Sequence, residues 1–253
     1  NGLVHTIASV ASPAAGALLV ACIGFSNSFT VLGMFLIGAG LMALLFIHDV
    51  KIDRSVLPDA GQRKASKGKL LPIPLNFYIF PLALSCSQGI LFFELPLIPD
   101  QTVMTSGFLF SLVSLGSLFT LSLLFLNRYS PAARNAWGAF FLALIFYGMA
   151  IKWPLHLGVS LFLIGMCKGV IYPAIATFLT SMSDRGKYGK VFAMLSISYS
   201  IGAFIGPLLA GYIRDHVSPY FLSFIFLMAA LAVVPFGRFI VFPFFNQQHQ
   251  GEK

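Results

Sequence analysis

Residues 200–213 read SIGAFIGPLLAGYI, an apolar run interrupted by Gly202, Gly206, Pro207 and Gly211. In water, glycine costs a helix interior about 1 kcal/mol and proline about 3 kcal/mol relative to alanine. In a bilayer both are tolerated, because neighbouring groups re-satisfy the freed backbone. The composition puts the stretch there: of 253 residues, 58% are hydrophobic and 9% charged, more apolar surface than a soluble core of this length absorbs. Small residues spaced by four around a proline therefore read as one face of a membrane-spanning helix.

Working outward, comparable runs of the ~20 apolar residues that cross a bilayer occur at 3–23, 29–47, 75–98, 107–126, 136–153, 155–179, 191–213 and 220–241. The expected fold class is an all-α integral membrane protein of about eight transmembrane helices. Most spans are joined by short polar or Gly/Pro turns. The long exception is HDVKIDRSVLPDAGQRKASKGKLLPIP, residues 48–74, a linker dividing the spans two and six.

The formal net charge of +8 invites a nucleic-acid reading, but its distribution opposes one. On one set of alternate loops lie Lys51, Arg54, Arg63, Lys64, Lys67, Lys69, Arg128, Arg134, Arg185, Lys187, Lys190, Arg238 and Lys253. The other set holds Lys152 and Arg214. That asymmetry is the positive-inside pattern, which places the linker and both ends of this chain in the cytoplasm and needs no nucleic acid to explain the charge.

Enzyme chemistry finds no purchase. His5, His48, His156, His216 and His249 are scattered at span ends and in loops, without HExxH, GxSxG, paired-aspartate or GKS patterns. Cys22, Cys86 and Cys167 fall in separate spans and read as small apolar residues. Neither an enzyme nor a cofactor or metal site is expected.

An internal repeat follows from the opening stretch. ASVASPAAGA, residues 8–17, overlays GAFIGPLLAG, residues 202–211, matching Pro13 to Pro207, Ser12 to Gly206, Ala8 to Gly202 and Ala17 to Gly211. Each copy is followed by a turn and a phenylalanine-rich span. If each pair of spans ends one repeat, the second repeat has six spans and the first lacks four. The chain also begins with Asn directly before an apolar run, and a missing N-terminal part is expected on both grounds.

With these motifs the chain resembles the major facilitator superfamily, transporters of two six-helix halves joined by a cytoplasmic loop. The GPxxxG stretch is similar to that superfamily's antiporter motif. SDRGKYGKVF, residues 183–192 with Asp184 and Arg185, resembles the basic turn that precedes the penultimate helix. LNRYSPAARN, residues 126–135, resembles the DRxGRR-type loop, with Asn127 where Asp is usual, Ser130 in place of glycine, Arg128 in register and Arg134 displaced. The resemblance implies helices five to twelve of the usual twelve: residues 1–48 as the last two helices of the N-terminal half, 49–74 as the linker, 75–245 as the complete C-terminal six-helix bundle and 246–253 as a cytoplasmic tail. It further implies a secondary transporter in a bacterial-type plasma membrane, its halves rocking about a midplane site, with a small-molecule substrate, the lipid bilayer and protons as partners. Export of an amphipathic compound against inward proton flux is the preferred version. The alternatives are metabolite uptake by a symporter, and a truncated chain that does not transport.

Residues inside the spans supply the candidates. Charge at membrane depth is costly and marks function or an ion pair. Lys168 lies near the middle of its span, and Glu94 in the outer third of residues 75–98. Tyr172, four residues after Lys168, shares its helix face, and Gln88 sits at mid-depth on the span of Glu94, so Lys168, Glu94, Gln88 and Tyr172 are the substrate or ion-coupling candidates. Gly202, Gly206, Pro207, Gly211 and Pro13 read either as a static helix contact or as one that slides or bends. Arg128, Arg134, Asp184 and Arg185 are the cytoplasmic gating-loop candidates.

Overall fold

A computed structural model describes residues 2–46, 75–99, 101–123, 129–183 and 188–234. The linker 49–74, the tail 246–253 and the gating-loop candidates Arg128, Asp184 and Arg185 lie outside the described residues. The eight apolar runs are eight α-helices: α1 (Gly2–Ile23), α2 (Phe25–Phe46), α3 (Ile79–Glu94), α4 (Val103–Ser122), α5 (Pro131–Ala150), α6 (Leu157–Met182), α7 (Tyr188–Ile213) and α8 (Pro219–Val233). Short 3-10 turns, Leu75–Tyr78 and Leu95–Leu97, extend α3 at both ends, and no strand occurs among the described residues. The all-α membrane fold class is thereby borne out. By length and composition, Phe25–Leu45, Asn76–Leu97, Val103–Ser122, Leu157–Met182 and Tyr188–Ile213 can each cross a membrane, while Ala8–Ile23 and Pro219–Val233 are shorter apolar helices.

Local chemistry sets the ends. Thr102 and Thr105 form a reciprocal capping box at the start of α4. Ser130 accepts a hydrogen bond from the Ala133 amide at 3.2 Å, and Pro131 occupies the first helical position, where its missing N–H is no loss. This serine–proline pair starts α5 several residues before the apolar run. It corrects the expected span boundary at 136 and places Arg134 inside a helix rather than in a loop. In α2 the start likewise moves back to Phe25, because Asn27 and Ser28 donate to the carbonyls of Ile23 and Gly24 at 3.0 and 2.7 Å and are thus satisfied within a helix. Gly24, at φ 79°, makes the break between α1 and α2 that a residue with a Cβ resists.

Packing radiates from α3 and α6. α3 lies against α7 and α8, α6 against α4 and α5, α5 against α8, and α1 against α4. The main buried cluster draws only on the segment from Phe77 to Val234, with Phe80, Leu84, Leu142, Phe146, Leu161 and Ile175 at its centre. By contrast α2 presents large apolar side chains outward, Phe35, Leu36 and Leu44 among them at 73%, 75% and 82% exposure. Such faces suit lipid, where apolar exposure carries no penalty.

Close helix approach explains the small residues. A Cβ on Gly202 would collide with the Leu82 carbonyl oxygen and stand 2.9 Å from the Cys86 nitrogen. One on Gly206 would collide with the Cys86 carbonyl oxygen, with the Cys86 Cα 3.2 Å away. Ala210, fully buried, continues this face. Gly211 does not, since a Cβ there would meet only the Phe93 ring at 3.5 Å, an ordinary contact. The seam is reciprocal, for a Cβ on Gly89 of α3 would lie 2.8 Å from Pro207 Cδ. The first copy of the repeat packs elsewhere: Gly107 of α4 faces Ala17 and the Pro13 carbonyl oxygen of α1. Gly165 and Gly169 seat α6 on α4 in the same manner, against the carbonyls of Val113 and Ser117.

Candidate functional site

On α3 the helical period carries Ser85, Gln88, Gly89 and Phe92 along one side. On α6 Lys168 and Tyr172 are one turn apart, and on α7 Tyr199, Ala203 and Pro207 repeat every fourth residue. Between these faces lies a cavity of about 670 Å³ lined by Ser85, Gln88, Gly89, Phe92, Phe93, Tyr172, Tyr199, Ser200, Ala203 and Pro207. Its walls are joined by polar contacts. The Tyr172 hydroxyl donates to Gln88 Oε1, tying α6 to α3. Ser85 donates to the Tyr199 carbonyl at 2.6 Å, tying α3 to α7, and the rings of Tyr172 and Tyr199 lie 5.8 Å apart.

Lys168 stands behind this wall rather than in it. Its Nζ lies 5.7 Å from the ring centroids of both Phe92 and Tyr172. It lines a small adjoining recess with Leu84, Ser87, Gln88, Leu91, Leu142, Phe146 and Ile164. The ammonium therefore meets ring faces, and among the described residues no carboxylate pairs with it. Each such contact is worth about 0.5–2 kcal/mol, less than the several kcal/mol that deep burial of a charge costs. Gln88 borders both spaces and is the polar link between Lys168 and the cavity.

Three of the four coupling candidates thus come together: Lys168, Gln88 and Tyr172. Glu94 does not join them. Its carboxylate is buried toward the outer end of α3, with Oε1 lacking a hydrogen-bond partner among the described residues. Its electrostatic neighbours are Arg214 and Tyr220, and Arg214 itself donates to the Leu97 carbonyl at 3.5 Å.

Sequence reasoning passed over Phe92, Gly89 and Tyr199. The signal for Tyr199 was present: it continues the Ala203–Pro207 spacing by one turn upstream. Pro207 has two roles. It packs against Gly89, and, lacking an N–H, it leaves the carbonyl four residues back, that of Ala203, without its helical partner on the cavity side. The wall so formed offers aromatic faces, an amide, two phenols and an acceptor carbonyl, which suits an amphipathic solute. No group of His, Cys, Asp and Glu that could hold a metal occurs among the described residues.

Comparison with known proteins points the same way. Residues 136–251 match the family model of the Major Facilitator Superfamily. A multi-drug resistance efflux pump PmrA homolog of Lactococcus lactis subsp. lactis (strain IL1403) is 26% identical over 220 residues, which are 81% of this chain and 54% of that protein. A protein of the same description from Lactococcus lactis subsp. cremoris is 28% identical over 82 residues, 32% of this chain and 69% of its own. The chain spans about half the length of the first of these relatives. The resemblance to the major facilitator superfamily carried by the motifs is borne out by these matches.

Proposed function

We propose that this chain is the larger part of a secondary active transporter that exports a small amphipathic compound across a bacterial-type plasma membrane in exchange for protons. The observation that carries the reading is the cavity between α3, α6 and α7 with the Lys168–Gln88–Tyr172 cluster at its back wall. A cation kept at membrane depth and reached through one amide and one phenol can bind an anionic group of a solute or exchange a proton. The likeness to proteins described as multi-drug efflux pumps supports the direction and the breadth of substrate.

The helix packing supports an alternating-access reading. In this reading residues 1–48 end the N-terminal half and 75–245 form the C-terminal bundle, with 49–74 as linker and 246–253 as cytoplasmic tail. The contact between the halves is then α1 on α4, where Gly107 meets the Pro13 carbonyl and only the methyl group of Ala17. Such a contact lets one bundle pivot on the other about a fixed site. Arg128, Asp184 and Arg185 fall to the cytoplasmic loops that would limit this motion; Glu94, beside Arg214 and Tyr220, falls to the outer rim.

The test is solute flux and internal pH in vesicles reconstituted with the full-length protein. Lys168→Met, which removes the charge and keeps the length, should insert normally and abolish coupled flux. Lys168→Arg should rescue poorly, because a guanidinium does not release a proton near neutral pH. Full transport by the Arg variant with unchanged pH dependence would show that Lys168 is not the proton carrier. Normal flux in the Met variant would remove the reading's main support.

A further inference from the structure

A proton exchanged at Lys168 needs a way in, and the ammonium stands behind the solute cavity rather than in it. The recess that Lys168 lines, of about 10 Å³, has the room of a single water. Ser87 of α3 borders that recess and shares its hydroxyl proton between the carbonyls of Ala83, at 2.9 Å, and of Ser223 on α8, at 3.4 Å. Ser223 is fully buried, yet its own hydroxyl has no hydrogen-bond partner among the described residues. One turn nearer the start of α8, the buried Tyr220 hydroxyl is likewise unpartnered, and so is Oε1 of its electrostatic neighbour Glu94. The Tyr220 ring stacks on Phe146, which lines the Lys168 recess. On its other side Tyr220 borders a recess of about 160 Å³ at the turn between α5 and α6, with the exposed Lys152 and with Trp153 and Ser160.

Unpartnered polar atoms in a packed interior are rare and costly, and water is their usual partner. The helical period puts Ser87, Leu91 and Glu94 on one side of α3 and Tyr220 and Ser223 on one side of α8, and these two helices pack together. Three unpartnered atoms thus mark one interface, between a recess at the chain's outer turn and another beside a buried amine. We infer that the α3–α8 interface conducts protons from the outer face to Lys168 through Tyr220, Ser223 and Ser87, with water between them, on a path separate from the solute cavity. The inference rests on the proton exchange at Lys168 proposed above. A hydroxyl both donates and accepts, so each takes a proton from the outer side and passes its own inward. One proton taken up at the outer recess then forms one N–H bond on the neutral Lys168 amine, and every hydroxyl between is left as it began. Glu94 on α3, Tyr220 on α8, Lys152 beyond α5 and Arg214 beyond α7 are the titratable and charged groups at the outer end of the path. At the inner end Lys168 meets Tyr172 of its own helix and, beyond that ring, Tyr199 of α7. α5 presents the apolar Leu142 and Phe146 there, and α4 has no titratable residue.

The experiment is a flash-released pH jump, from alkaline solution, on the full-length protein in detergent, with a pH-indicator dye following proton uptake. The uptake phase lost in Lys168→Met is the protonation of Lys168. Ser223→Val and Ser223→Thr bring nearly the same added volume and differ in the hydroxyl. The Lys168 phase is expected to be about 100-fold slower in S223V than in S223T at unchanged amplitude, the lower end of what a positioned proton-transfer group contributes. Tyr220→Phe, which keeps the ring on Phe146, should slow it likewise and decides the matter if the Ser223 variants do not fold. Equal rates in S223V and S223T overturn the route, as does the parent rate in Y220F. If Tyr172→Phe slows the phase and these variants do not, the proton enters through the solute cavity and the separate path fails. Absence of any Lys168 phase in the unsubstituted protein would instead remove the proton-exchange reading, and the route with it.

Discussion

The seam between α3 and α7 distinguishes glycines that look alike in the sequence. Gly206 and Gly211 belong to the same small-residue pattern, yet a Cβ on Gly206 would collide with the Cys86 carbonyl, whereas one on Gly211 would touch the Phe93 ring at 3.5 Å. Gly206→Ala must therefore part the helices by on the order of 1 Å to restore ordinary contact distances. A gap of that size forfeits a quarter to a half of each ~0.1–0.2 kcal/mol atom contact. Over the several dozen atom pairs of a close seam this amounts to about 1–3 kcal/mol, the usual cost of overpacking. Cys86, at 1% exposure, lies at the contact and serves as the reporter. In a background with Cys22→Ser and Cys167→Ser, its labelling by a thiol reagent in detergent measures opening of the seam. Gly206→Ala should raise the labelling rate about 5- to 150-fold, the Boltzmann equivalent of that cost, while Gly211→Ala should leave it near the parent value. Equal rates for parent and Gly206→Ala, or equal acceleration by the two substitutions, would refute the assignment of Gly206 to a backbone contact.

Two further outcomes are expected. Lys152 adopts φ 54° at the end of α5, where the Trp153 amide bonds back to the Gly148 carbonyl at 3.0 Å, so Lys152→Gly should relieve left-handed strain and raise stability by about 1 kcal/mol; an unchanged or lower unfolding temperature in detergent would contradict this. For topology, Ser66→Cys should be shielded from an impermeant thiol reagent in intact cells and Gln101→Cys labelled, in a background without native cysteines; the reverse pattern would invert the orientation read from the loop charges.

Much of the fold was legible because the bilayer imposes a local rule. A span must be about 20 residues of apolar helix whatever it later touches, so the order and number of helices could be read run by run, and the basic loops gave a sidedness to propose. Errors arose where a short-range device overrode hydropathy, as at Ser130–Pro131, which draws Arg134 into α5, and at Asn27 and Ser28, which fold back on α2. The glycine spacing likewise announced a close helix contact, because the absence of side chains on one face is a property of the helix alone.

Pairing was another matter. A bare helix face is complementary to many others, and only the relative placement of helices decided that Gly202 and Gly206 meet Leu82 and Cys86 while Pro13 meets Gly107. The same holds for charge: Lys168 was free in the sequence to pair with Glu94. The structure sets it instead beside Phe92 and Tyr172, and Glu94 beside Arg214 and Tyr220. The sequence by itself determined which segments enter the membrane, since that depends on each segment's own transfer free energy. Which residues share a cavity was decided by the tertiary structure, because contacts between helices depend on rotation and register that no single segment encodes.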